Sequence, residues 1–246
     1  MNICIYETSS EMARQAASAA ARAISQAIAE RGEARILLST GESQIETLGF
    51  LAKEQVSWDK VTMFHLDEYI GLPESHKASF RKYLKERFLE VVHPGKAYLV
   101  SGEGNVEENI AALTASLREA PVDVALVGIG ENGHVAFNDP PADFDTKEAY
   151  MVVNLAERCK QQQVNEGWFG SLEEVPAQAI TMTVPQIMAS RTILSIVPGV
   201  RKSEAVCKTL SAKAVTSQIP ATVLKTHPDW HLFLDRESAG QMVPAI

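Results

Sequence analysis

The sequence predicts an α/β fold: a three-layer, open, mostly parallel sheet with helices on both faces. Three observations predict it. Apolar, β-rich runs alternate with helix-like stretches along the chain. With 246 residues, 46% of them hydrophobic, the chain can bury a full core, and no linker, repeat or low-complexity tract divides it. A single domain over residues 1–246 is therefore expected. Finally, each segment rich in reactive side chains follows a strand-like run, and open parallel sheets bind ligands outside the carboxyl ends of their strands.

The elements follow in order. Residues 3–6 read as a strand, and residues 10–30, Ala-rich with few breakers, as a long helix. Residues 35–38 form a strand that runs into Ser39-Thr40-Gly41-Glu42-Ser43, with a helix from there to about residue 53. A strand is expected at 61–66, a helix at 79–91, a short strand at 97–100 and a helix at 106–119. The apolar run 122–127 is a strand that leads into the glycine-rich segment 128–140. Strands follow at 149–153 and 180–184, then a buried strand at 192–197, a helix from 201 to about 210, a strand at 231–234 and a short terminal helix. Residues 140–175 read as a lid-like stretch, with Pro140-Pro141 marking a loop.

Charge and cysteine usage narrow the function classes. A net charge of −8 with no run of Lys or Arg argues against a nucleic-acid surface, while a few placed donors still suffice for one phosphate. Cys4, Cys159 and Cys207 are scattered, which predicts neither a disulfide framework nor a zinc site and favours a reducing cytoplasm. The opening residues lack the pattern of a signal peptide, and no apolar run is long enough to span a membrane. His65, His76, His93, His227 and His231 show no metal-ligand spacing, so no metal is expected.

The candidate chemistry lies in four segments. Gly128-x-Gly130-x-x-Gly133 spells a dinucleotide fingerprint, yet it comes late in the chain and His134-Val135-Ala136-Phe137-Asn138 does not open a helix. Its glycines, Gly133 included, suit a tight turn with close backbone approach to a ligand. His134 is a candidate proton shuttle, and Asp139, five residues on, is near enough to orient it. Asp67-Glu68 offers a general base, against the bland reading of a turn or cap. Ser39 to Ser43 join a strand to a helix, where free N–H groups and hydroxyls suit a phosphate; the alternative is a helix start capped by Ser43. Glu42 would repel a phosphate unless it points away. Lys202, after the turn Pro198-Gly199, is a cation in reach of such a phosphate or an ordinary surface lysine.

Taken together these segments resemble the glucosamine-6-phosphate deaminase (isomerase) family. The matching stretches are Leu66-Asp67-Glu68-Tyr69-Ile70-Gly71-Leu72-Pro73-x-x-His76 and Gly128-x-Gly130-x-x-Gly133-His134-Val135-Ala136-Phe137-Asn138-x-Pro140. Thr40-Gly41-x-Ser43, Gly199-x-x-Lys202, Ile219-Pro220-Ala221 and His227-Pro228 add to the likeness. The resemblance implies a Rossmann-like sheet of the deaminase/phosphogluconolactonase type. It also implies conversion of an aldose 2-amino-6-phosphate, glucosamine 6-phosphate or a close epimer, into a ketose 6-phosphate and ammonia, with no cofactor. By this likeness Asp67 moves a proton from C2 to C1, His134 opens the sugar ring, and Asp139 holds His134. Residues 39–43 with Lys202 take the phosphate.

Four departures stand out against that pattern. Asn132 occupies the place of a second aspartate and is confined to hydrogen bonding, and Asp139 replaces a glutamate. The arginine usually found before Phe-Phe is absent from Glu166-Gly167-Trp168-Phe169, which leaves Arg158 or Lys160 as substitutes. The cluster used for allosteric activation in some members is unmatched in residues 142–153, so no activation by an N-acetylated sugar phosphate is expected there. A 6-phosphogluconolactonase-like hydrolase and a non-enzymatic sugar-phosphate sensor are the alternatives. The expected partner is a small sugar phosphate rather than nucleic acid or membrane, and homo-oligomerisation is left open.

Overall fold

A computed structural model describes residues 1–240. The strands are β1 (Asn2–Tyr6), β2 (Ala34–Leu38), β3 (Val61–His65), β4 (Asp67–Tyr69), β5 (Lys96–Tyr98), β6 (Val124–Val127), β7 (Tyr150–Asn154), β8 (Gln178–Met182), β9 (Thr192–Val197) and β10 (Trp230–Asp235). The helices are α1 (Ser9–Arg31), α2 (Ile45–Leu51), α3 (Phe80–Leu84), α4 (Glu90–Val92), α5 (Val106–Leu117), α6 (Glu157–Asn165), α7 (Val184–Met188), α8 (Ser203–Ser211) and α9 (Arg236–Ala239).

Seven strands pair in the order β1-β10-β9-β6-β2-β3-β5, and every pairing among them is parallel. Successive residues of the central strands point to opposite faces, and both faces are covered, which is why these strands are largely apolar, with only Arg35, Thr62, His65, Thr192 and Ser195 interrupting β2, β3 and β9. Ile36, Leu38, Val124, Leu126, Leu194 and Ile196 pack with α1 and α2. Leu37, Ala125, Val127 and Ile193 pack on the other face with residues of α5, α7 and α8. Alanines let α1 lie close to the sheet: Ala16, Ala17 and Ala20 are fully buried. Thr8 caps its start, and Gly32, at φ 83°, supplies the left-handed residue that ends it.

The remaining strands correct the expectation of one sheet. β4, β8 and β7 form a separate antiparallel sheet in that order. The expected strand at 180–184 sits two residues earlier. Thr183 caps α7 through the Gln186 N–H, and Pro185 takes the first turn, where its missing N–H costs nothing. The stretch 140–175 is not a plain loop, because it holds β7 and α6. The expected helix at 79–91 contains a π turn at Lys85–Leu89. Among the described residues no helix is long and apolar enough to cross a membrane.

Strand order determines where a ligand crevice forms. From β2 the chain steps outward to β3 and β5, then returns across β2 to β6 and β9. The crevice at such a reversal, beyond the strand ends, is the natural binding position of an open α/β sheet.

Candidate active site

A cavity of about 420 Å³ opens at this crevice. Its wall includes the loops that leave four adjacent strands: Ser39 to Ser43 after β2, Asp67 after β3, His134 after β6, and Arg201 and Lys202 after β9. The two candidate proton-moving side chains, 67 residues apart in sequence, thus share one cavity. Asn132, Gly133 and Asp139 lie outside its wall; Asn132 and Asp139 support His134 from behind, while Gly133 bonds to the backbone of Gly130 and Ala221.

The small sheet ties the two acid/base segments together. Asp67 pairs with Thr181 across β4 and β8, and Thr181 Oγ1 accepts the Phe137 N–H at 3.0 Å. Asn138 donates to the carbonyls of Val135 and Met182, both at 2.8 Å. The loop carrying His134 is therefore pinned to the same strand that positions Asp67.

Within the acidic pair the roles divide. Glu68 is fully buried and accepts from the N–H groups of Tyr69, Phe80 and Arg81, from Ser79 Oγ and from Arg81 Nε. It anchors the start of α3, so the bland reading as a cap holds for Glu68. Among the described residues Asp67 has no such donors. Burial, and then the neighbouring Glu68 carboxylate, push it from 3.8 up to about 8. A carboxylate so placed is a far stronger base than one in water.

His134 rests on a built support. Its Nδ1 lies 3.1 Å from Asp139 Oδ1. Asn132 bridges the two: its amide donates to Asp139 Oδ1 at 2.9 Å, and its oxygen accepts the His134 N–H at 3.0 Å. An aspartate at position 132 could not make the first contact without sharing a proton. Burial pushes Asp139 up, but His134, Asn132 and a backbone N–H outweigh it, leaving the carboxyl below its ordinary value. The glycines of the segment have steric reasons. A Cβ on Gly130 would run into the His134 imidazole, and one on Gly133, whose φ is 85°, would lie 2.9 Å from Ile219 Cγ2.

In the 39–43 loop, Gly41 adopts φ 115° and a 3₁₀ turn, Glu42–Gln44, precedes α2. Ser43 does not cap the helix; its hydroxyl accepts from Gln44 Nε2 at 3.1 Å. Ser39 Oγ and Thr40 Oγ1 are buried and have no protein partner among the described residues, which leaves both hydroxyls for a ligand. Glu42 points to Arg201, its Oε2 accepting from Nη2 at 3.0 Å. Lys202 has no ion pair among the described residues, and burial holds its pKa below the ordinary lysine value despite Glu166 and Glu131. Neither Arg158 nor Lys160 lines the cavity. Among the cavity-lining residues that the sequence did not point to are Arg201, Phe80, Glu46, Glu237, and Gln162 and Gln163 of α6. Spacing gave no signal for them, because α6 is polar almost throughout.

A parallel sheet with acid/base groups and unpartnered hydroxyls around a cavity at its reversal point has the architecture of a small-molecule enzyme site. The chain belongs to the family described as glucosamine-6-phosphate isomerases/6-phosphogluconolactonase, which matches residues 7–232. It is 36% identical over 248 residues to a glucosamine-6-phosphate deaminase of Shouchella clausii, covering 98% of this chain and 97% of that protein. A glucosamine-6-phosphate deaminase of Bacillus cytotoxicus is 32% identical over 247 residues, covering 100% and 91%. Among solved structures, a monomeric glucosamine-6-phosphate deaminase superposes with a TM-score of 0.88 at 30% identity, over 97% of this chain and 99% of that one. A 6-phosphogluconolactonase of Shewanella baltica (TM-score 0.79, 20% identity, 96% and 97% covered) shares the fold.

Proposed function

We propose that this protein is an aminosugar-phosphate deaminase/isomerase that converts glucosamine 6-phosphate, or a close epimer, and water into a ketose 6-phosphate and ammonia. The observation that carries the reading is the single cavity lined by both Asp67 and His134. The named deaminases to which the chain is similar support it.

The steps follow from the geometry. Ser39 and Thr40 hydroxyls, the backbone of Gly41 to Ser43 and Lys202 hold the phosphate, whose binding energy orients the far end of the sugar. His134, held by Asp139 and Asn132, moves a proton at the ring oxygen and opens the ring. Asp67 takes the proton from C2, giving an enolamine, and after exchanging with solvent delivers a proton to C1. Water then adds at C2 of the resulting imine and ammonia leaves. The raised pKa of Asp67 makes it basic enough to attack a weakly acidic C–H. The residues assigned here use no cofactor. The scattered free cysteines favour a cytoplasmic setting.

The test is to incubate purified protein with glucosamine 6-phosphate and with galactosamine 6-phosphate and to assay ammonia and ketose phosphate together. Both products from one of them are expected. No product from either removes the assignment, and ketose without ammonia from a non-amino sugar phosphate selects plain isomerisation.

A further inference from the structure

Arg201 lies where three strand-end loops meet. Its Nη2 donates to Glu42 Oε2 at 3.0 Å, and its Nε is 3.9 Å from Glu131 Oε1. Glu42 follows β2, Glu131 follows β6 and Arg201 follows β9, so this guanidinium bridges the crevice at the point where strand order reverses. Its backbone is fixed. Gly199, at φ 86°, donates its N–H to both Asp235 carboxylate oxygens, at 3.1 and 2.9 Å, and the Lys202 N–H closes the turn onto the Gly199 carbonyl at 3.1 Å. Only the side chain of Arg201 is free to turn. Its pairing with Glu42 is half exposed, with side-chain exposures of 52% and 56%, and such pairs are weak.

The cavity's charge makes that weakness consequential. Glu42, Glu46, Glu166 and Glu237 all line it, against the cations Arg201 and Lys202. Gly167 stands in the segment where the family resemblance leads one to expect a phosphate-pairing arginine. A phosphate dianion beside Lys202 needs a second cation, and Arg201 is the neighbouring one on the cavity wall. Guanidinium binds a phosphate through two parallel N–H bonds, a stronger contact than one exposed bond to a carboxylate.

We propose that Glu42 is an internal stand-in for the ligand's phosphate: it holds Arg201 until the 6-phosphate displaces it, and Arg201 then turns to become the second phosphate cation beside Lys202. This deepens the proposed function and rests on its sugar-phosphate substrate. It also gives Glu42 a purpose in a phosphate loop. A neutral or weakly charged sugar cannot outcompete the carboxylate, so the exchange selects for a dianion.

The test is titration calorimetry with inorganic phosphate at fixed ionic strength, because exposed charges are screened, on wild type, Arg201→Gln and Glu42→Gln. Loss of one charge-assisted contact should weaken binding in Arg201→Gln by about tenfold. Removal of the competing carboxylate should tighten binding in Glu42→Gln by roughly threefold. A pair that merely tethers the two loops would weaken binding in both variants, and that result overturns the proposal, as does unchanged affinity in Arg201→Gln. In turnover of glucosamine 6-phosphate, Arg201→Gln should raise KM and also lower kcat, because the phosphate grip orients the reacting end of the sugar. The two readings separate cleanly. Opposite shifts in phosphate affinity without turnover keep the anion exchange and remove the substrate. Turnover by wild type with parallel losses keeps the substrate and removes the exchange.

Discussion

Replacing Asp67 by asparagine should abolish proton transfer at C2 and, at alkaline pH, stabilise the protein. The side chain is only 6% exposed and accepts no hydrogen bond among the described residues, so its negative charge is costly in the folded state. The sign is fixed by linkage. A carboxyl raised from 3.8 to about 8 binds its proton more tightly folded than unfolded, so its favourable contribution is lost as pH rises between those values. Each tenfold change in ionisation is worth ~1.4 kcal/mol, which makes the full cost on the order of 5 kcal/mol above that range. Asparagine is nearly isosteric and does not titrate. Urea unfolding of both proteins should therefore show little difference near pH 4 and an advantage for Asp67→Asn that grows by about 4 kcal/mol between about pH 5 and pH 9. A stability difference that is flat across that range would refute a desolvated, elevated carboxyl at this position.

Further outcomes follow from the same structure. The acid limb of kcat/KM should reflect the free-enzyme base and fall as pH drops below about 8, as read from the pH–rate profile with saturating controls. Gly130→Ala should reduce kcat by roughly 100-fold while leaving the melting temperature nearly unchanged, because the new Cβ displaces the His134 ring rather than core backbone. Glu68→Ala should cost about 3 kcal/mol in urea unfolding, since it leaves Arg81 Nε and the buried N–H groups at the start of α3 without their acceptor, although Glu103 still pairs with the Arg81 guanidinium. Asn132→Asp should set two carboxylates against each other at Asp139, draw a proton onto the His134 support and change the pH–rate profile outside the limb that Asp67 sets, with an unchanged profile as the contrary result.

The main sheet was legible because its strands are buried on both sides. The runs 34–38, 61–65 and 124–127 are buried throughout and read as mostly apolar segments, broken only by Arg35, Thr62 and His65. The small sheet was not legible. β4 is only Asp67-Glu68-Tyr69, two of its three residues are acidic, and the sequence marks it as a site rather than a strand. The run Ile180 to Val184 hides the handover from β8 to α7, because Thr183 and Pro185 cap a helix inside an apolar stretch. α6 buries only Cys159 and Gln163, so no apolar stripe announces it. Of the site, the strand-end motifs could be read locally. The Arg201–Glu42 contact, 159 residues apart in sequence, depends on strand order and could not.

The central claim, that Asp67 is the base at C2, is tested most directly in deuterated water. Glucosamine 6-phosphate turned over by wild type should yield ketose phosphate carrying solvent deuterium at C1, while Asp67→Asn should bind the sugar phosphate yet incorporate none. Unchanged incorporation in that variant would contradict the account.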